Sequence, residues 1–68
     1  MKFVVKSEVS NFEGTLAECI TFLQGMKVML AIHIGETGLN FSMMRLNVNE
    51  SITTEDIVGR EITITRIK

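Results

Sequence analysis

Residues 3 to 9 follow a period of two, placing Phe3, Val5 and Val9, together with Ser7, on one side and Val4, Lys6 and Glu8 on the other. That pattern predicts a strand, because successive side chains of an extended chain point to opposite faces. Ser10 to Gly14 break the alternation, and Thr15-Leu16-Ala17-Glu18 then has the spacing of a capping box, in which hydroxyl and carboxylate satisfy free backbone donors. A helix is expected to start there. At about 100° per residue, Leu16, Cys19, Ile20 and Leu23 fall on one stripe with Phe22 at its edge, opposite Glu18, Thr21 and Gln24. Gly25 supplies a left-handed stop, after which Met26 is expected to fold back on Ile20.

Residues 27 to 34 give a second strand expectation, with Val28, Leu30, Ile32 and Ile34 on one face and Met29, Ala31 and His33 on the other. Both faces are apolar apart from His33, the signature of a central strand covered on each side. Gly35-Glu36-Thr37-Gly38 suits a hairpin into a third strand over 39 to 48. There Leu39, Phe41 and Met43 share one phase and Met44, Leu46 and Val48 the other, which a bulge near Met43-Met44 reconciles. Asn47 to Ser51 begin a polar loop, Thr53-Thr54-Glu55-Asp56 can cap a single helical turn ended by Gly59, and residues 60 to 67 form the last strand.

The expected fold is therefore α+β: a small two-layer β-α-β-β-β domain over residues 1–68, with a four-stranded mixed sheet and one helix on one face. The helix sits in a right-handed crossover between the first two, parallel, strands. The alternative is a small curled β-barrel with a plug helix, favoured by the glycines and the bulge.

Composition narrows the function classes. The chain has 68 residues, 46% of them hydrophobic, with 7 Lys+Arg against 8 Asp+Glu for a net charge of −1. Those values describe one globular domain, and a chain so short buries a modest fraction of its surface, so oligomerisation is expected. One cysteine and no disulfide partner point to a reducing compartment, with the cytoplasm as the expectation. The longest apolar run, Val28 to Ile32, is far shorter than the roughly 20 residues that span a bilayer, and Phe3-Val4-Val5 is too short for a secretory signal. Near-neutral charge removes the cationic excess that marks most nucleic-acid binders.

Few residues carry chemistry. Cys19 and His33 are the only nucleophile and imidazole base, and the strand reading of 27 to 34 puts them on opposite sides of the sheet, out of reach of each other. No catalytic residue is assigned. One His and one Cys fall short of a closed zinc site, so neither metal nor cofactor is expected. Glu50, Glu55 and Asp56 read as a solvated turn rather than a calcium loop, and none of the five glycines belongs to a phosphate loop.

Two surfaces remain. One helix covers one sheet face, yet Val4, Met29, Ala31, His33, Met43 and Met44 are assigned to the other, where uncovered apolar area marks an interface. The leading expectation is a non-enzymatic binding module, homo-oligomeric, that works as an accessory, regulatory or inhibitory protein through that face or a sheet edge, on itself and a further protein partner. The second is a single-stranded nucleic-acid binder using Lys2, Lys6, Phe41, Arg60, Arg66 and Lys68, which converge if the terminal strands are neighbours.

Overall fold

The computed structural model describes residues 1–68. It contains strands β1 (Lys2–Ser7) and β2 (Asn11–Thr15), helices α1 (Leu16–Met26) and α2 (Met29–Met44), and strands β3 (Ser51–Glu55) and β4 (Glu61–Arg66). The strands form one open sheet in the order β2-β1-β4-β3, antiparallel throughout. An α+β fold with a four-stranded sheet is what the sequence led us to expect; the connectivity is not. There are two helices, no parallel crossover and no closed barrel.

Three segments account for the difference. Residues 11–15 continue the chain as β2 instead of a break, pairing Phe12 with Val5 and Gly14 with Phe3. The stretches expected as strands over 27 to 34 and 39 to 48 contribute to a single helix, α2, interrupted at Gly35 where φ is 70°. A run that is apolar on every side carries no period to separate strand from helix, and a helix is what brings Val28, Leu39 and Met43 into the core. Finally, residues 51–55, expected as loop and capped turn, form edge strand β3 opposite Glu61 to Thr65.

The core lies between the helices and one sheet face. Phe3 and Val5 of β1 and Ile62 and Ile64 of β4 meet Cys19, Ile20 and Leu23 of α1, Leu39 and Met43 of α2, and Val28. Alternation sends Lys2, Val4 and Lys6 of β1 and Thr63 and Thr65 of β4 to the opposite, uncovered face. Val9, expected beside Phe3 and Val5, lies in the β1–β2 turn and is exposed.

The capping box forms as expected: Thr15 Oγ1 accepts from the Glu18 N–H at 3.3 Å, and Glu18 Oε1 accepts from the Thr15 N–H at 2.9 Å. The end of α1 differs. Gly25 and Met26 stay helical, and Lys27 takes the left-handed conformation at φ 56° and ψ 50°. The N–H of Val28 donates to Leu23 O and that of Lys27 to Gln24 O, closing the helix with a Schellman pair.

Candidate interaction site

The uncovered sheet face is polar. Its centre is Val4, flanked by Glu13 on β2 and Thr65 on β4, and around it lie Thr53, Thr63, Lys6 and Ser51, whose hydroxyl is 2.7 Å from that of Thr65. The apolar second sheet face expected from the sequence does not exist in that form, because the segments assigned to it are helical. Of its proposed members, Val4 alone is on the sheet. Met43 is fully buried in the core, Met29 and Ala31 are half-buried on α2, and His33 and Met44 are exposed on α2.

The apolar surplus is nonetheless present, moved from the sheet to the helix. Ile32, Ile34, Phe41 and Met44 of α2 are all exposed, Phe41 by 66%. Beside the first turn of α2 a shallow cleft of about 610 Å³ runs along β3, lined by Met29, Leu30 and His33 from the helix and Thr53, Thr54 and Glu55 from the strand. The Leu30 N–H donates to Thr54 Oγ1 at 3.2 Å, which fixes the helix against the strand and satisfies one of the donors that a helix start leaves free.

The end of the cleft is held by the β3–β4 turn. Asp56 is 5% exposed, and its carboxylate accepts from the N–H groups of Val58 and Arg60 at 3.0 Å and from Arg60 Nε at 2.8 Å. Burial opposes ionisation of Asp56, but the backbone N–H and guanidinium of Arg60 and the N–H of Val58 outweigh it and hold the carboxyl below its ordinary value. This corrects the expectation of a solvated acidic turn: the carboxylate organises the turn from inside. Its rigidity presents Ile57 and Val58 to solvent, at positions where turns usually carry polar residues.

Cys19 and His33 do not meet, though for a reason other than the one expected. Both helices lie on the same sheet face. Cys19 is fully buried beneath α1, with Sγ 3.6 Å from the carbonyl oxygens of Phe3 and Gly14, whereas His33 stands exposed at the β3 cleft. Burial pushes the Cys19 thiol up from its ordinary pKa, which keeps it protonated and a poor nucleophile.

The basic residues fall on more than one surface. Strands β1 and β4 are neighbours, but Arg66 lies in phase with Ile62 and Ile64 on the helix side, where it donates to the carbonyls of Leu46 and Lys68. Lys2 and Lys6 occupy the opposite face, Arg60 is paired with Asp56, Lys68 follows the last strand and Phe41 is on α2. Phe12 stacks on Phe22 with ring centroids 4.5 Å apart. Lys68 is bonded to Lys2 through the backbone, so the terminal strands bring part of the expected nucleic-acid patch together, but Phe41 and Arg60 lie elsewhere and the six residues do not form one surface.

The signal for the helix was present in the sequence: Leu39, Met43 and Leu46 have the i, i+4, i+7 spacing of a helical stripe. No helix is long and apolar enough to cross a membrane. No family model, curated protein or solved structure matches this chain.

Proposed function

We propose that this chain is a small non-enzymatic interaction module that self-associates, and that it serves as an accessory, regulatory or inhibitory protein. The observation that carries the reading is the β3 cleft, where Met29, Leu30 and His33 stand beside the outer edge of a strand, on a helix whose remaining surface keeps Ile32, Ile34, Phe41 and Met44 in water. A helix that is apolar on more sides than its own core covers is expected to be covered by another chain. A reduced, buried Cys19 suits a reducing compartment such as the cytoplasm.

Light scattering coupled to size exclusion tests the reading. The expected result is a mass above 7.6 kDa that falls toward it on dilution and in Met29→Glu, which sets a carboxylate in the cleft. A strict monomer at every concentration, unchanged by that substitution, overturns it.

A further inference from the structure

The sheet has two free edges, β2 and β3, and they differ in whether a second copy fits against them. In an antiparallel ladder hydrogen-bonded and non-bonded pairs alternate. The Asp56 N–H donates to Arg60 O across β3 and β4, so in this register Thr54 and Ile52 bond inward to Ile62 and Ile64. The N–H and C=O groups of Ser51, Thr53 and Glu55 therefore face outward. The same counting from the Ser7 N–H to Ser10 O turns Asn11, Glu13 and Thr15 outward on β2.

We infer that two copies of this chain join edge to edge through β3, antiparallel about a two-fold axis at Thr53, to make one continuous eight-stranded sheet. This rests on the self-association proposed above and names its surface. In that register Thr53 faces its own copy and Ser51 faces Glu55 of the second chain, so no like charges oppose one another. On the helix side Ile52 comes opposite Thr54 of the second chain. The equivalent arrangement at β2 sets Glu13 against Glu13, which is unfavourable, and the Thr15 N–H is already taken by Glu18. β3 carries neither proline nor lysine, the usual guards of an exposed edge.

The area needed agrees with this choice. A stable dimer buries about 800 Å² per partner, roughly a fifth of the 4197 Å² surface here, and a five-residue strand cannot supply that alone. Beside β3, however, the cleft places Met29 and His33 of α2. In that register the cleft at the Thr53–Glu55 end of each strand faces the Ser51–Thr53 half of the partner's strand, so pairing covers the cleft mouths along with the strand edges.

Thr53→Pro is the sharpest test, because it removes an outward N–H that β4 does not use, and proline is tolerated on edge strands at that kind of position. Light scattering is expected to show a dimer for the unaltered chain, a dissociation constant raised at least about tenfold in Thr53→Pro, and no change in Glu13→Pro on the other edge. Circular dichroism checks that each variant is folded. A second measurement does not depend on proline: with dissolved oxygen as the oxidant, Thr53→Cys is expected to form a disulfide between the two copies, because directly opposed residues lie about 5.5 Å apart at Cα, within disulfide range. Ser51→Cys is expected not to, because four positions at about 3.3 Å separate it from its own copy. A dimer that survives Thr53→Pro and fails to cross-link at Thr53 overturns the β3 pairing while leaving self-association intact. A monomer throughout overturns both.

Discussion

α1 and α2 rest on the same sheet face and fill the same core, yet they are held in place by different means. α1 is closed at both ends by local hydrogen bonds, the capping box of Thr15 and Glu18 and the Schellman pair at Lys27, and it buries one stripe of Cys19, Ile20 and Leu23. α2 starts at Val28 with no side-chain cap, breaks at Gly35, and buries Leu39 and Met43 while leaving apolar residues on its other sides. Short helices gain little from propensity alone, and α2, without a side-chain cap and broken at Gly35, has fewer local bonds than α1 to add to its contacts with the rest of the molecule. The helix with the weakest local signals is also the one that carries the proposed interaction surface.

Truncating the core tests whether α2 is part of one cooperative unit with α1. Leu23 and Leu39 are both fully buried, one on each helix. Leu23→Ala and Leu39→Ala are each expected to cost about 2–5 kcal/mol in urea denaturation, with a single transition by every probe. A cost at Leu39 well below that range, or a second transition, shows that α2 docks loosely and breaks the equivalence of the two helices as core elements.

The same contrast explains what could be read in the sequence. α1 was legible to within two residues because its start signal is chemical: a hydroxyl and a carboxylate three positions apart bond the backbone wherever a helix begins. Strands β1 and β4 were legible because Phe3 and Val5, and Ile62 and Ile64, recur with a period of two, the latter pair among polar neighbours. α2 was misread because Val28 to Ile32 is apolar in any conformation. The phase change at Met43-Met44, explained by a bulge, was the helical spacing of Leu39, Met43 and Leu46. β3 escaped notice because its inward face offers only Ile52 and Thr54. An excess of apolar surface was inferred from the composition, but its location followed the misread elements and was placed on the sheet.

Cap substitutions probe the difference at the helix starts. Thr15→Ala removes the hydroxyl that accepts from Glu18 and is expected to cost about 1 kcal/mol. At Val28 the opposite experiment is informative. Val28→Thr introduces a good capping group with little change in shape, but Val28 is fully buried, and a buried hydroxyl without a partner costs about 1–3 kcal/mol. A net loss is expected by thermal unfolding, because core burial at this position outweighs a cap. A gain places the start of α2 closer to water than the packing of Val28 implies.

The glycines are expected to respond with opposite signs. Gly25 is helical and a methyl group there meets nothing within 4 Å, so Gly25→Ala is expected to stabilise by about 0.4–1 kcal/mol, chiefly by restricting the unfolded chain. Gly35 has φ 70° and ψ −179°, a region open almost only to glycine, where a side chain is strained by about 1–3 kcal/mol, and Gly35→Ala is expected to destabilise. Gly38 adds a steric reason for the same bend, because a Cβ there sits 2.7 Å from Ile34 Cβ. Matching gains at Gly25 and Gly35 show that the break in α2 is not needed.

Acid distinguishes the two helix starts most gently. The N–H and hydroxyl of Thr15 hold the Glu18 carboxyl below its ordinary value, whereas the first turn of α2 contains no acidic residue. With the folded value below the unfolded one, the unfolded chain takes up its proton first as pH falls. The stabilisation from this group is therefore complete above about pH 5 and fades as pH falls through the ordinary carboxylate range and then the lower folded value. Asp56 behaves alike at the β3–β4 turn. Amide exchange, corrected for its intrinsic pH dependence, is expected to show protection falling below about pH 4 in the first turn of α1 and at Val58 to Arg60, with α2 following only as the whole domain loosens. Glu18→Gln removes the titrating carboxyl while leaving Asp56 untouched, and is expected to flatten the response in α1 alone. A response that stays equally steep there assigns the acid sensitivity to the hairpin turn, and the capping box then contributes geometry but little charge.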